Sequence, residues 1–237
     1  MYIKDPLIFK QYINDCISAV NQMQNNADRI FKELPQIVDC AVRVEYGIGG
    51  LNLHRGLYCP SPAFDLVVGN TSRGRVVKRI RQVTHPDFEY GFDASGRLIF
   101  VHHFYQGKHI STEVILYDDS IREGYTFSND TGEVCCYSKE IYKDHHLVKY
   151  EQFYPFLAFP RIYHYRKELF EYTEMGLHNH EWIDFYPNTT KLNECSLNRN
   201  IHQFEHDREG YLSSYRTCTD SGDYDDYIHH ISTKRKI

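Results

Sequence analysis

The chain has 237 residues and a formal net charge of −5, from 27 Lys plus Arg against 32 Asp plus Glu, with 41% hydrophobic and 25% charged residues. These proportions exclude disorder, collagen and coiled coil, and the length suffices for a sizeable core in one large domain or two small ones. No apolar run approaches the ~20 residues of a membrane helix, and the amino terminus carries Asp5 without a basic-then-apolar signal segment, so a cytoplasmic protein without membrane contact is expected.

Asp5-Pro6 reads as a helix start, with Asp as N-cap and Pro at the first helical position. Phe9, Ile13, Cys16 or Ile17, Val20, Met23, Ala27, Ile30 or Phe31 and Leu34 form one apolar stripe that Pro35 should end, and Asn25-Asn26 is its weak point. After Pro35 the period becomes two. Val38, Cys40, Val42, Val44 and Tyr46 alternate with Asp39, Ala41, Arg43 and Glu45, which predicts a strand with one wet face. Gly47-Ile48-Gly49-Gly50 reads as a turn or bulge, since no Lys-Ser or Lys-Thr follows it to make a phosphate loop. Pro60 and Pro62 mark a loop, and Ala63 to Val68 and Arg75 to Val83 read as further strands.

From about residue 88 the chain is a succession of short aromatic strands, consistent with its 20 Tyr and 14 Phe. Turn signals fall at Asp93 to Gly96, Gln106-Gly107, Asp118-Asp119, Asn129 to Gly132, Lys143 to His145, Pro187 to Thr190 and Arg208 to Gly210. The expected fold is mainly β (α+β): residues 1–87 form a long N-terminal helix plus antiparallel sheet, and residues 88–237 an aromatic antiparallel meander, possible as one continuous domain. The seven cysteines are odd in number and make no Cys-x-x-Cys pair, which argues against a disulfide framework or a cysteine zinc site.

The meander contains a loose repeat. Tyr90-Gly91-Phe92-Asp93-Ala94-Ser95-Gly96-Arg97-Leu98 aligns without a gap on Phe204-Glu205-His206-Asp207-Arg208-Glu209-Gly210-Tyr211-Leu212. Tyr125-Thr126-Phe127 with Gly132-Glu133-Val134 fits with one extra turn residue, and Tyr163-His164-Tyr165 would be a fourth copy without the glycine. The starts lie 35, 38 and 41 residues apart, enough for a hairpin and a return strand. Alternate aromatics stack on one face, Asp opens the turn, and Gly supplies the positive φ that closes it.

Tyr90 to Leu98 resembles the Tyr-x-Tyr-Asp-x-x-Gly-Arg-Leu signature of the YD repeats of bacterial Rhs proteins and related toxin-delivery shells. The chain is far shorter than those shells. It is similar in style to immunity proteins of bacterial polymorphic or contact-dependent toxin systems, which are small, acidic and built of YD-like or MORN-like sheet. That resemblance implies a non-enzymatic, cytoplasmic protein that neutralises a cognate toxin.

Fourteen histidines invite metal or nuclease readings. In a strand, adjacent residues face opposite sides, so each His-His doublet offers one imidazole per face. His178-Asn179-His180 spells the letters of an HNH nuclease, yet Glu181 to Tyr186 reads as strand and no flanking cysteines are present. His102, His109 and Lys108 around one turn could form an acid-base pair of the ribonuclease type. Arg73, Arg75, Lys78, Arg79 and Arg81 place five cations in nine residues, read as a solvated strand face rather than a nucleic-acid stripe.

The acidic groups are the preferred binding candidates. Asp118 and Asp119 terminate a strand, and Asp220, Asp223, Asp225 and Asp226, interleaved with Tyr224 and Tyr227, put four carboxylates in seven positions. Such a surface can mimic phosphates, steer association with a basic nuclease toxin and anchor on tyrosines. The expected partner is therefore a cognate protein toxin, with no direct nucleic-acid contact, no cofactor and no metal. The rival classes are a His-dependent nuclease and a self-associating YD-like module.

Overall fold

The computed structural model describes residues 6–51, 54–68, 73–77, 85–155, 163–187, 195–218, 228–231 and 234–237. Helix α1 (Pro6–Asp39) runs without a break through Asn25-Asn26 and past Pro35. Asn26 is held by its own helix and by the sheet: its Nδ2 donates to the Gln22 carbonyl (3.2 Å) and to the Tyr125 hydroxyl (3.4 Å). Proline removes one helical donor. The last turn is nevertheless closed beyond it, because Cys40 N–H donates to the carbonyls of Gln36 and Ile37, both at 3.2 Å. Met23, Ala27 and Ile30 are the buried rungs of the stripe, while Ile17 and Phe31 are 53% and 45% exposed.

The strand expected from Val38 consequently starts later, as β1 (Arg43–Ile48). The strand expected over Ala63 to Val68 is instead a short helix, α2 (Phe64–Val67). Val68 N–H donates to the Phe64 carbonyl at 3.0 Å to close its turn, and Phe64 is buried against the His54 ring, 4.3 Å between centroids. A 3-10 turn at Gly56–Tyr58 precedes it. Of the strand expected over Arg75 to Val83, β2 (Arg75–Val76) is present, and residues 78–83 lie outside the described residues.

The meander follows as β3 (Phe88–Phe92), β4 (Leu98–Tyr105), β5 (Lys108–Asp118), β6 (Ile121–Ser128), β7 (Val134–Lys143), β8 (His146–Pro155), β9 (Tyr163–Thr173), β10 (Gly176–Pro187), β11 (Cys195–His206), β12 (Leu212–Cys218) and β13 (His229–His230). The protein is thus mainly β, one long helix followed by an antiparallel sheet of order β13-β12-β11-β10-β9-β8-β7-β6-β5-β4-β3-β1-β2. The chain clusters into two compact units. One comprises Met1–Cys16, Ser61–Ala63 and Glu140–Ile237, the other Ile17–Pro60 and Phe64–Lys139; they are called the C-terminal and N-terminal unit below.

Each unit builds its core by period-two alternation. In the N-terminal unit Phe88, Tyr90, Phe92, Val101 and Ile115 pack on one face under Leu57 and Tyr58. The opposite face presents Tyr125 and Phe127 to α1, with Phe31 and Phe127 rings 5.3 Å apart. In the C-terminal unit Phe153 stacks on Tyr165 at 4.4 Å, and Ile183 and Phe185 are buried on the same face, while the alternate residues of β9 and β10 carry charge.

The repeat is reproduced in the backbone. Asp93 N–H donates to Arg97 O (3.0 Å) and Gly96 N–H to Asp93 O (2.9 Å); Asp207 N–H donates to Tyr211 O (2.8 Å) and Gly210 N–H to Asp207 O (3.0 Å). Both aspartates accept two backbone N–H bonds at Oδ1, from Ser95 and Arg97 in one hairpin and Glu209 and Tyr211 in the other, each at 2.9 Å. Gly96 and Gly210 sit at φ of 82° and 78°, a region costly for other residues. Even the register shift recurs, between Gly91 and Phe92 and between Glu205 and His206. The third copy also holds: Ser128 N–H donates to Glu133 O (2.9 Å), and Gly132 N–H to Ser128 O (2.8 Å). The fourth does not form a turn, because Tyr163 to Tyr165 opens an eleven-residue strand, and the chain next reverses at Glu174-Met175.

The turns read from sequence at Gln106-Gly107, Asp118-Asp119 and Lys143 to His145 all connect strands, whereas of Pro187 to Thr190 only Pro187 is described, as the last residue of β10. Between β7 and β8, Asp144 and His145 both take positive φ, 50° and 67°. This is the conformation that Asn-Gly adopts most readily. Replacing Asp144-His145 by Asn-Gly is expected to stabilise the protein by about 0.5–1 kcal/mol, read as a rise in urea midpoint. A lower midpoint would show that one of these side chains makes a contact worth more than the backbone relief.

Candidate functional site

The densest set of ionisable groups lies on one face of the C-terminal unit. Strand β9 contributes His164, Arg166 and Glu168, and β10 contributes His180, Trp182 and Asp184. Alternation puts each triplet on a single face, and the antiparallel register sets Arg166 opposite Asp184 and Glu168 opposite Trp182. All six are buried: His164, Glu168 and His180 have no exposure, and Arg166 and Asp184 have 8% each.

Asp184 is the hub of the first group. It accepts from Arg166 Nε at 3.0 Å and Trp182 Nε1 at 2.6 Å, and His164 Nε2 lies 3.2 Å away. The Arg166 guanidinium also covers the Trp182 ring, with 4.1 Å to the centroid. Burial alone would raise the Asp184 pKa, but His164, the Arg166 charge and the Trp182 bond together hold it below the usual carboxylate value.

Glu168 is the hub of the second. Its Oε2 accepts from Ser61 Oγ at 2.5 Å and lies 2.9 Å from His180 Nε2. The His180 ring lies flat on Phe170 and faces His202, 4.9 and 5.6 Å between centroids. A serine, a histidine and a carboxylate thus meet, but in an order unlike a nucleophilic triad. There the serine gives its proton to the imidazole and the carboxylate orients the imidazole from behind. Here hydroxyl and imidazole converge on one carboxylate oxygen, so the serine proton is directed to Glu168. The arrangement clamps Ser61 onto the sheet. Ser61→Ala is expected to destabilise the protein by about 1–3 kcal/mol, since a buried carboxylate loses a donor. Emission of Trp182, the one tryptophan in the chain, follows unfolding of this unit; an unchanged midpoint would remove the clamp from the account of stability.

The N-terminal unit has a smaller counterpart. Arg55, left-handed at φ 57°, donates from Nε to Glu113 Oε1 (2.8 Å) and from Nη2 to Ser138 Oγ (2.9 Å). Its guanidinium passes over Gly124, where a Cβ would come within 2.3 Å of Glu113 Oε1, 2.4 Å of Ser138 Oγ and 2.7 Å of Arg55 Nη2. His103 adjoins this pair, with Nε2 4.0 Å from Glu113 Oε2. Burial, followed by the nearby Arg55 charge, pushes the His103 pKa down to about 3.

Among the residues singled out in the sequence, His102 and His109 are brought together, their rings 4.4 Å apart. His102 is driven down to about 4, by burial first and by His109 second. Lys108 does not join them and instead pairs with Asp130 at 3.0 Å, both side chains 66% exposed. His180 is buried against Glu168, away from any HNH-like arrangement, and Glu181 to Tyr186 is strand as read. Arg73 pairs with Asp65 at 2.9 Å and also bonds the Cys59 carbonyl. Arg79 and Arg81 lie outside the described residues. Asp118 and Asp119 are exposed at the β5–β6 hairpin tip. Asp220, Asp223, Tyr224, Asp225, Asp226 and Tyr227 lie outside the described residues. No group of three His, Cys, Asp or Glu side chains is placed to hold a metal ion among the described residues.

The buried rows on β9 and β10 escaped the sequence reading. Their signal was present as His-x-Arg-x-Glu at 164–168 and His-x-Trp-x-Asp at 180–184, two matching alternations of polar residues inside aromatic strands. Compared with known protein families and with curated proteins, the chain matches none of them.

Proposed function

We propose that the chain is a non-enzymatic immunity protein that binds a cognate bacterial toxin, a nuclease by preference, and occludes it sterically. The observation that carries this reading is the division of labour among its ionisable groups. A catalytic group must touch its substrate, whereas the richest acid-base cluster here is sealed, with no exposure at His164, Glu168 or His180, and spends its contacts internally. Hairpin tips carry exposed carboxylates, Asp118 and Asp119 in the N-terminal unit and Asp144, Glu174 and Glu209 in the C-terminal one. Short tips on a pleated scaffold offer a pre-organised surface with little ordering cost on binding.

The test is co-expression with the toxin domain encoded by the neighbouring gene. Growth rescue together with a stable complex on size-exclusion chromatography is the expected result; a toxin that still kills and does not co-elute would end the reading.

The close His102–His109 pair, rings 4.4 Å apart, favours a second reading, RNA cleavage with one imidazole as base and the other as acid. Purified chain should then degrade RNA and lose that activity in His102→Ala and His109→Ala, and inactivity of the parent chain would discard it.

A further inference from the structure

The N-terminal unit carries three guanidinium groups on aromatic rings at one end of its sheet. Arg43 lies 3.8 Å over Phe92, and Arg97 and Arg122 lie 5.1 and 5.3 Å over Tyr117. Register explains the stacking. Arg43 is the partner of Phe92 across β1 and β3, and Arg122 the partner of Tyr117 across β5 and β6, so each cation projects from the same face as its ring. Phe92 and Tyr117 belong to one cluster on that face. Arg43, Arg97 and Arg122 stand on or beside β1, β4 and β6, every second strand, hence on the order of 10 Å apart.

The Arg43 and Arg97 side chains are 48% and 55% exposed. Arg43 uses one amino group on Glu45, and Arg97 uses Nε and Nη2 on Asp93. A guanidinium has five N–H donors, so both keep donors that no described residue accepts. Stacking on a ring holds the fork still while leaving its edge open to a planar carboxylate.

We infer that this guanidinium and aromatic row is the surface that grips a carboxylate-bearing segment of the protein partner; the inference rests on the toxin-binding reading above. A nucleic-acid backbone is the poorer fit. Glu45 and Asp93 are interleaved with the arginines, and Asp118 and Asp119 are exposed at the adjoining tip, so a continuous run of phosphates would meet four carboxylates. A protein surface of mixed charge meets both signs, and arginine with tyrosine is the composition of interface hot spots.

The experiment measures affinity of the neighbouring gene's toxin domain for the full chain, for Arg43→Ala, Arg97→Ala and Arg122→Ala singly and combined, and for Arg97→Lys, with a melting curve for each. Each alanine variant is expected to bind about tenfold more weakly or worse without a change in melting. Arg97→Lys should be as weak as Arg97→Ala, because lysine keeps the charge but loses the fork and the stack. Wild-type affinity in the triple alanine variant would overturn the inference and leave the toxin-binding reading standing, and wild-type affinity in Arg97→Lys would reduce the row to unspecific charge. Failure of the unaltered chain to bind the toxin would overturn both. Binding of tRNA or duplex DNA that the same alanine changes abolish would assign the row to nucleic acid instead.

Discussion

Gly124→Ala is expected to destabilise the protein by about 1–3 kcal/mol, a cost typical of overpacking a filled interior. The added methyl group would fall within 2.3 Å of Glu113 Oε1 and 2.7 Å of Arg55 Nη2, so these side-chain ends must shift. Arg55 and Glu113 side chains are 5% and 7% exposed, so the shift takes place inside a buried ion pair. Urea unfolding followed by circular dichroism gives the number. A loss below about 1 kcal/mol would mean that the pair re-forms around the methyl group, and that its burial is not what holds the turn on the sheet.

Acidification is the second large effect. His103 and His202 titrate at about 3 in the folded protein, against 6.5 ordinarily. For His103 the causes are burial, then Arg55, His102 and His109; for His202 they are burial, then His180 and His229. Glu113 Oε2 lies 4.0 Å from His103 Nε2, and Thr217 Oγ1 lies 3.1 Å from His202 Nδ1. Because the folded pKa values are depressed, the unfolded chain takes up protons first as pH falls. Stability is complete above about pH 6.5 and declines toward pH 3, each buried imidazole removing at most roughly 3 kcal/mol between pH 7 and pH 4. Melting temperature should fall steeply from pH 7 to pH 4.5, and His103→Gln should flatten the curve. Equal melting temperatures at pH 7.5 and pH 5 would refute the assignment.

What could be read from the amino acids alone follows how local the determining physics is. The hairpins at Asp93 and Asp207 were legible because a turn is decided within five residues by an acceptor side chain and a glycine with positive φ. The end of α1 was misplaced because Pro35 signals only the missing donor, while Cys40 N–H closes the turn beyond it. Ala63 to Val68 looked like a strand since its apolar residues are too few to separate the two periods, and the stretch forms a single helical turn instead. The reversal at Glu174-Met175 lacks a proline or asparagine, so it was passed over. Exposed Asp118 and Asp119 were found where expected, but Glu168 and Asp184 were invisible as partners because, Trp182 apart, the groups that meet them come from another strand or from Ser61, far away in the chain.

From β4 to β12 every strand lies beside the strands that precede and follow it in the chain. Such an array grows by insertion: one extra hairpin adds two strands without rethreading any other part of the backbone. Gene-level duplication of a hairpin can therefore widen or narrow the protein in steps of two strands, giving relatives of different breadth that share the same local turns. Contacts between such neighbouring strands are close in sequence, which shortens the search for that part of the sheet.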